Sequence, residues 1–193
     1  MFTECCDLQS FTTQRLLIRE YRRKDIDDFL YVIRQPEVRA TTYGIPADYP
    51  KSRAKRWFRF LRDSKKNMKS LEYGVFMRDS GKYVGNVGLI NISLEHRHAD
   101  ISYYMDKDER SKGIATEASS AMLRYGFCEL GLEKISGLCM SCNPASRRVM
   151  EKLGMKFEGT SRNELLKNGV YFDIDRLSIL KSEYFGVNTI CNS

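Results

Sequence analysis

Histidine and tryptophan are almost missing from this chain of 193 residues, which has two histidines and one tryptophan. Cys139 and Cys142 have the spacing of two zinc ligands, but a structural zinc needs four, and His96 and His98 lie in another segment. The six cysteines follow no framework spacing, and a chain of this length buries a core without disulfides. We therefore expect no metal site, and reduced thiols typical of a cytoplasmic protein.

Long apolar runs are also missing, since no stretch approaches the roughly 20 residues that a membrane-spanning helix needs. The opening MFTECCDLQS lacks the basic segment followed by an apolar core that marks a secretory signal. The patterns GxxxxGK(S/T) and GxGxxG do not occur, which excludes the corresponding nucleotide-binding loops. We expect no membrane association, a flexible extension over residues 1–11, a single domain over 12–183 and a tail over 184–193.

Positive charge is abundant and unevenly placed. The net charge is +7, and residues 51–70 alone hold nine Lys or Arg against one Asp. Within this segment Ala54, Trp57, Phe58 and Leu61 have the i, i+3, i+4, i+7 spacing of an amphipathic helix. Its basic side is either a solvated face or a site for an acidic partner, a phosphate-bearing ligand or nucleic acid. No nucleic-acid motif accompanies it, which disfavours the last of these.

The remaining pattern alternates strand-like and helix-like segments without internal repeats. Predicted strands cover residues 15–21, 71–77, 82–92, 98–105, 133–142, 155–160 and 170–180. Predicted helices end near residue 32, cover 51–70 and 143–154, and follow the strand 98–105. Asp-Ser-Gly between the second and third strands predicts a hairpin. Hairpin strands followed by strand–helix units predict a mixed α/β or α+β domain.

A short basic loop separates the strand 98–105 from the helix that follows it. It reads Arg110-Ser-Lys-Gly113-Ile-Ala115. A helix that begins near Gly113 would offer unpaired N–H groups and the positive end of its dipole to an anion. Glycine has no Cβ to keep a phosphate oxygen away from those amides, and Arg110 and Lys112 would add charged donors. The loop therefore predicts a site for a phosphate-bearing ligand.

The spacing R-x-x-G-x-A resembles the acyl-CoA pyrophosphate loop, Q/R-x-x-G-x-G/A, of the GNAT acetyltransferase superfamily. The segment TTQRLLIREYRRKDIDDFL resembles the opening strand and helix of the subgroup that acetylates ribosomal-protein N-termini. NPASRRVMEKLGMKFEG resembles the late segment of the same subgroup. With the last, aromatic-rich strand, the likeness runs from Thr12 to Leu180. The chain is thus identified as GNAT-like.

The resemblance implies a mostly antiparallel, twisted sheet of about seven strands with flanking helices and a central splay between two strands. It implies acetyl-CoA as cosubstrate, with the pantetheine arm against the main chain at the end of strand 98–105, where the side chains of Tyr103 and Met105 pack in the core. The residues to which cofactor binding carries over are Tyr103, Tyr104, Met105, Arg110, Ser111, Lys112, Gly113, Ile114, Ala115, Thr116, Asn143 and Ser146.

Catalytic roles carry over to fewer positions. In the subgroup a serine that matches Ser146 is a proposed acid for the leaving thiolate, although a helix-capping hydroxyl is an alternative explanation here. Glu164 matches the proposed base, but the loop after it is one residue longer in this chain. Tyr171 and Asp173 match positions that line the acceptor pocket. Direct attack without a side-chain base remains a further alternative.

The resemblance predicts transfer of acetyl to a primary amine, either a protein N-terminus or a small molecule. At neutral pH an α-amino group loses its proton at a cost of about 1 kcal/mol and a lysine at about 4.6 kcal/mol, so the first asks less of a base. A polyamine is disfavoured if the basic residues 51–70 line the pocket. The alternative is a catalytically silent acyl-CoA-binding or RNA-associated module on the same fold. Dimers are common among relatives, so a homodimer is also an expectation.

Overall fold

The centre of the protein is one sheet of eight strands in a computed structural model that describes residues 10–42, 44–46 and 48–187. The spatial order is β1-β2-β3-β4-β5-β6-β8-β7. The strands are β1 Ser10–Thr12, β2 Leu16–Arg19, β3 Leu71–Met77, β4 Tyr83–Ser93, β5 His98–Met105, β6 Lys134–Met140, β7 Lys156–Lys167 and β8 Val170–Leu180. All neighbouring pairs are antiparallel except β5 and β6. The predicted fold class is confirmed.

Helices cover both faces of this sheet. They are α1 Ile26–Ile33, α2 Pro36–Thr41, α3 Lys51–Lys66, α4 Ile114–Cys128, α5 Pro144–Lys152 and α6 Lys181–Val187. The strands and helices bury two clusters of apolar side chains. One, which includes Tyr73, Ile101 and Met122, lies between the sheet and α4; the other, which includes Phe29 and Phe58, lies between the sheet and α1 and α3. The result is three layers, helix on sheet on helix.

The parallel pair β5 and β6 separates after only four residues. Register pairs join His98–Ile101 to Lys134–Gly137, and residues 102–105 and 138–140 have no partner across the gap. The connection between the two strands runs through α4, as parallel strands require. The predicted central splay is therefore present, and it opens at Ile101 and Gly137.

Several elements differ from the sequence prediction. Ser10 and Phe11, assigned to the flexible extension, form β1 and pair with β2, where the Phe11 ring meets Tyr73 at 5.9 Å. Residues 36–41, for which no helix or strand is predicted, form α2, and residues 181–187 of the domain end and tail form α6. Residues 1–9 and 188–193 of the predicted extension and tail lie outside the described residues. The sheet has eight strands rather than seven because three residues suffice for an edge strand.

β7 is the largest departure, because it is predicted to end at residue 160 and continues to Lys167. Its second half is mostly exposed and polar, so it lacks the apolar alternation of a half-buried strand. A register irregularity between Ser161 and Leu165 accompanies it. The extended hairpin reaches α2, where the Lys167 ammonium donates to the carbonyls of Arg39, Ala40 and Thr42. A cation at these terminal carbonyls stabilises the helix end.

Candidate active site

A cleft of about 1090 Å³ opens where β5 and β6 separate. Its walls come from the splayed ends of both strands, the start of α4, the start of α5 and one side of α3. This volume slightly exceeds the usual range for small-molecule sites, so the cleft is large enough for two ligands at once. Its position at the divergence of two parallel strands places main-chain groups of residues 102–105 along its floor.

The basic loop forms one end of the cleft, as an anion site would. Gly113 precedes α4 with φ +78°, and Ser111 has φ +61°, so two residues in the left-handed region curve the chain. The first helical hydrogen bond runs from Glu117 N–H to the Gly113 carbonyl at 3.0 Å. The N–H groups of Ile114, Ala115 and Thr116 therefore have no acceptor inside the helix. Alternating backbone of this kind gathers amides into an anion-binding nest.

Arg15 holds this loop in place. Its guanidinium donates to the Lys112 carbonyl at 2.9 Å and to the Glu117 carboxylate at 2.7 Å. Burial alone would raise the pKa of Glu117, but hydrogen bonds from Thr13 and Arg15 bring it below its ordinary value. The brace joins residues about a hundred positions apart, so sequence reasoning missed it. It fixes the loop shape before any ligand arrives.

The start of α5 brings Ser146 to the opposite wall. Asn143 is the N-cap, and its side-chain oxygen accepts from the Ser146 N–H at 3.2 Å, as the Asn-Pro pattern predicts. The Ser146 hydroxyl lies 2.9 Å from the Tyr103 hydroxyl, which also lies 3.0 Å from the Ser146 carbonyl. Burial raises the pKa of Tyr103 well above its ordinary value, so the phenol keeps its proton. The Tyr103 side chain was expected only to pack in the core, while its main chain was expected to contact the cofactor.

Glu72 is the acidic side chain that sequence reasoning missed. It pairs in register with Gly88 on β4, and Gly88 pairs with Ser102 on β5, so the three form one row across the sheet. Glu72 lines the cleft and is only partly exposed. Burial raises its pKa to about 7, while a hydrogen bond with the Ser70 hydroxyl at 3.4 Å opposes that rise. Nothing in LEYGVFM distinguishes this glutamate from an outward-facing strand residue.

One side of α3 forms the wall beyond the splay. Arg53, Arg56, Trp57 and Phe60 line the cleft at helical spacing, while Ala54, Phe58 and Leu61 face the core. The Trp57 and Phe60 rings stack at 5.3 Å. The Arg53 guanidinium lies 5.3 Å from the centre of the Tyr49 ring. Part of the basic segment therefore faces the pocket and is not merely a solvated surface.

The predicted cofactor residues, Lys112 excepted, come together in this cleft. Lys112 is exposed and pairs with Glu109 at 3.0 Å. The predicted catalytic and acceptor residues of the last hairpin are not among the residues that line it. Glu164 is exposed in the irregular part of β7, Tyr171 is 59% exposed, and the Asp173 carboxylate accepts from the Asn163 N–H at 2.8 Å. Glu164 lies in a strand and not in the predicted loop.

Thiols and histidines contribute little to the cleft. Cys139 lines it, is buried, and has a pKa raised to about 11 by burial. Cys139 and Cys142 are free thiols. His96 and His98 stack on each other at 6.0 Å at the start of β5. Within residues 10–187, apart from the undescribed positions 43 and 47, no three metal-binding side chains gather, and no helix is long and apolar enough to cross a membrane.

Comparison with known proteins decides the family. The description "Acetyltransferase (GNAT) domain" matches residues 15–156, well over half of the chain. The chain belongs to the GNAT acetyltransferase family. This GNAT chain is 30% identical over 189 residues to YdaF of Bacillus subtilis, a candidate ribosomal N-acetyltransferase, and the match covers 96% of the chain and 99% of YdaF. That similarity agrees with the predicted subgroup.

Other relatives have different acceptors. The GNAT chain is 31% identical over 104 residues to the spermidine N(1)-acetyltransferase of Escherichia coli K12, covering 54% of the chain and 56% of that protein. The spermidine N-acetyltransferase of Vibrio cholerae, solved with CoA and spermine, superposes with a TM-score of 0.79 at 22% identity over 90% of the chain and 99% of that structure. At that identity the superposition establishes the fold alone.

Because the pKa of Glu72 is raised, replacing this side chain with a neutral amide should stabilise the fold by an amount that depends on pH. The folded carboxyl keeps its proton up to about pH 7, whereas an ordinary one loses it near 4.5, so stability falls as pH rises between these values. The free energy of unfolding of Glu72→Gln, relative to that of the parent, should therefore be about 1–3 kcal/mol higher at pH 8 than at pH 5. Urea denaturation at both pH values measures this. Exposed Glu95→Gln is the control, and an equal effect at both pH values would contradict the prediction.

Proposed function

We propose that this protein transfers acetyl from acetyl-CoA to a primary amine by direct attack while both substrates are bound. The observation that carries the proposal is the group of unpaired amides at Ile114, Ala115 and Thr116, placed at one end of a cleft that runs along the splayed main chain. A diphosphate would bind these amides, and a pantetheine arm would lie along the splayed main chain. Relatives solved with CoA or acetyl-CoA support this reading.

The residues present fit acetyl-CoA. Gly113 needs its left-handed conformation, and Arg15 is the nearest group to the space where its Cβ would lie, at 3.5 Å, so the loop leaves its amides accessible. Arg110 adds a charged donor at the rim of the cleft. When bound, acetyl-CoA supplies a thioester carbonyl that is open to attack by nitrogen. The chain's own residues hold the diphosphate, align the arm along β5 and exclude water from the splay.

Ser146 and Tyr103 form a unit that delivers a proton to the departing sulfur. The Tyr103 phenol has one hydrogen, which can go to the Ser146 carbonyl at 3.0 Å or to the Ser146 hydroxyl oxygen at 2.9 Å. Only the second arrangement leaves the Ser146 hydrogen free to point into the cleft, so the proposal requires the phenol to turn from the carbonyl to the hydroxyl. The raised pKa of Tyr103 keeps that phenol as a donor throughout the neutral range. The role that the family resemblance gives to Ser146 thus gains a second residue, which holds the hydroxyl at 2.9 Å.

Direct attack agrees with the protonation state of Cys139, the one thiol among the described residues that lines the cleft. A pKa raised to about 11 leaves Cys139 as a neutral thiol at pH 7, and the thiolate is the nucleophilic form. An acetyl-cysteine intermediate would therefore form slowly. This supports transfer in one step from thioester to amine.

The side of α3 that lines the cleft, the acceptor wall, favours an acceptor amine that carries a negative charge nearby. Arg53 and Arg56 would repel a polyamine and attract a carboxylate or phosphate. The stacked Trp57 and Phe60 rings offer an apolar surface beside them. An acidic protein N-terminus or a small anionic amine fits this wall, in contrast to the spermidine named for some relatives. Homodimer formation remains a prediction.

Gly113→Val should weaken coenzyme A binding more than tenfold. A branched side chain at φ +78° strains the loop and covers the amides. Isothermal calorimetry measures the affinity. Gly131→Val is a matched control, since φ is +64° there and no atom lies within 4 Å of the added Cβ. Equal affinities for both variants would remove the loop from the binding site.

Ser146→Ala should lower kcat by about 10²–10³ and leave coenzyme A affinity unchanged. The helix cap survives, because Asn143 binds the main-chain N–H of Ser146. Tyr103→Phe should produce a smaller loss of the same kind. Thiol release from acetyl-CoA between pH 6 and 9 measures both variants. Parent-like rates for Ser146→Ala throughout that range would leave the hydroxyl no role in proton delivery.

Replacing Arg53 and Arg56 with alanine should raise KM for acidic-peptide acceptors at least tenfold and lower it for polyamines. Lys55 and Arg59 lie on the same helix, are exposed and do not line the cleft, so their double alanine variant is the control. A panel of acidic peptides, neutral peptides and spermidine measures selectivity by thiol release. No change of selectivity would separate α3 from the acceptor. Coenzyme A binding without thiol release from any acceptor would favour the silent binding module.

A further inference from the structure

The row Glu72–Gly88–Ser102 crosses three strands toward the splay. Neighbouring strands lie about 4.8 Å apart, so the row spans about 10 Å from Glu72 to Ser102. Ser102 is the first β5 residue beyond the last β5–β6 register pair, at Ile101. A side chain that extends along this row from β3 therefore extends toward the point where the cleft floor opens.

Gly88 leaves the middle of the row empty, and the Glu72 side chain occupies that space. A Cβ at Gly88 would lie 2.5 Å from the Glu72 Cγ and 2.5 Å from the Leu71 carbonyl oxygen. No side chain larger than hydrogen fits while Glu72 keeps this position. The missing Cβ thus gives a carboxylate from β3 a route across β4.

We propose that Glu72 is a catalytic residue, the base that contacts the acceptor amine and takes its proton beside the splay. This inference rests on the proposed function. The carboxylate lines the same cleft as Tyr104 and Ser146 and as the acceptor wall of α3. It stands on the side of the sheet from which α3 presents Arg53 and Trp57, so an amine held there lies between Glu72 and the splay.

The proton and electron balance is complete with these groups. The acceptor ammonium gives one proton to the Glu72 carboxylate, and the nitrogen lone pair forms the C–N bond to the acetyl carbon. The C–S bond breaks with its electron pair on sulfur, which receives a proton from the Ser146 hydroxyl. The proton left on the new amide nitrogen passes through water to Ser146, and Glu72 releases its proton to solvent. The products are an amide, a free thiol and one proton.

Ionisable groups of neighbouring elements line the two pockets that Glu72 also lines. They include Glu20 and Tyr21 after β2, Tyr49 before α3, Arg53, Arg56, Arg62 and Lys65 on α3, and Asp100 and Tyr104 on β5. Lys65 pairs with Glu20, and Arg53 lies over Tyr49. Burial dominates the resulting balance and raises the pKa of Glu72 to about 7, near the pH at which a general base works best.

Three other carboxylates compete for this role. Glu109 lines the cleft, but Lys82 at 2.8 Å and Lys112 at 3.0 Å donate to it and hold its pKa below its ordinary value. Asp100 also lines the cleft, but it lies in the paired part of β5, opposite Ser136, and accepts from the Asn91 amide at 2.9 Å. Glu164, the residue that the family resemblance implies, is exposed in β7 and does not line the cleft. Among these four carboxylates, Glu72 alone reaches across a bare glycine toward the opening.

The decisive experiment compares Glu72→Gln, Asp100→Asn and Glu164→Gln, with exposed Glu95→Gln as the control. Glu72→Gln should lower kcat/KM at pH 7.5 by about 10²–10⁴ and leave coenzyme A affinity within twofold of the parent. In the parent, kcat/KM should fall as the pH drops below about 7. This acidic limb should lie at the same pH for acceptors whose amine pKa values differ. That shared limb should disappear in Glu72→Gln, and Glu72→Asp should restore part of the rate.

A titration without substrates gives an independent readout. Carbon-detected NMR of protein labelled at glutamate carboxyls should show one resonance that titrates near pH 7 and is missing in Glu72→Gln. Absence of any glutamate that titrates above pH 6 would overturn the inference whatever the rates. So would parent-like kinetics and pH profile in Glu72→Gln, or loss of the shared limb in Asp100→Asn or Glu164→Gln alone. A parent protein that binds no coenzyme A would instead refute the proposed function, and this inference with it.

Discussion

The separation of β5 from β6 is the constraint on which the rest of the site depends. Parallel strands normally pair each other's N–H and C=O groups through hydrogen bonds, and here that pairing ends at Ile101 and Gly137. The unpaired main chain beyond that point is costly to bury and available to an extended ligand. α4 follows one separated strand after the loop at Gly113, and α5 follows the other, so both helix starts line the same gap.

Stability and reactivity are opposed along the row from Glu72 to Ser102. A glycine in a central strand and a half-buried carboxylate both weaken a sheet, and here they occur in register. The same arrangement concentrates negative charge where α3 presents arginines. Proteins tolerate such losses mainly at functional sites, where strain and unfavourable burial serve the chemistry.

Local patterns were readable from the sequence, and long-range juxtapositions were not. β3, β5 and β8 were predicted with their observed bounds, and the loop at Gly113 was predicted because its spacing and its flanking elements are contiguous. The contact of Ser146 with Tyr103 depends on two segments 43 residues apart. The position of Glu72 depends on the register of three strands, which no single segment encodes. The extent of β7 was underestimated because its outer half is mostly exposed and lacks the apolar alternation of a half-buried strand.

The lysine at the hairpin tip has a consequence for how proteins of this shape diverge. Lys167 donates to carbonyls at the end of α2, and Thr41 and Thr42 at this same end line the cleft. Two stretches separated by about 125 positions in the chain are therefore joined by hydrogen bonds. Lengthening or shortening a remote turn would reshape the entrance without altering any group inside it. Acceptor selectivity can thus evolve through changes in the β7–β8 turn, without substitution of a residue that lines the cleft.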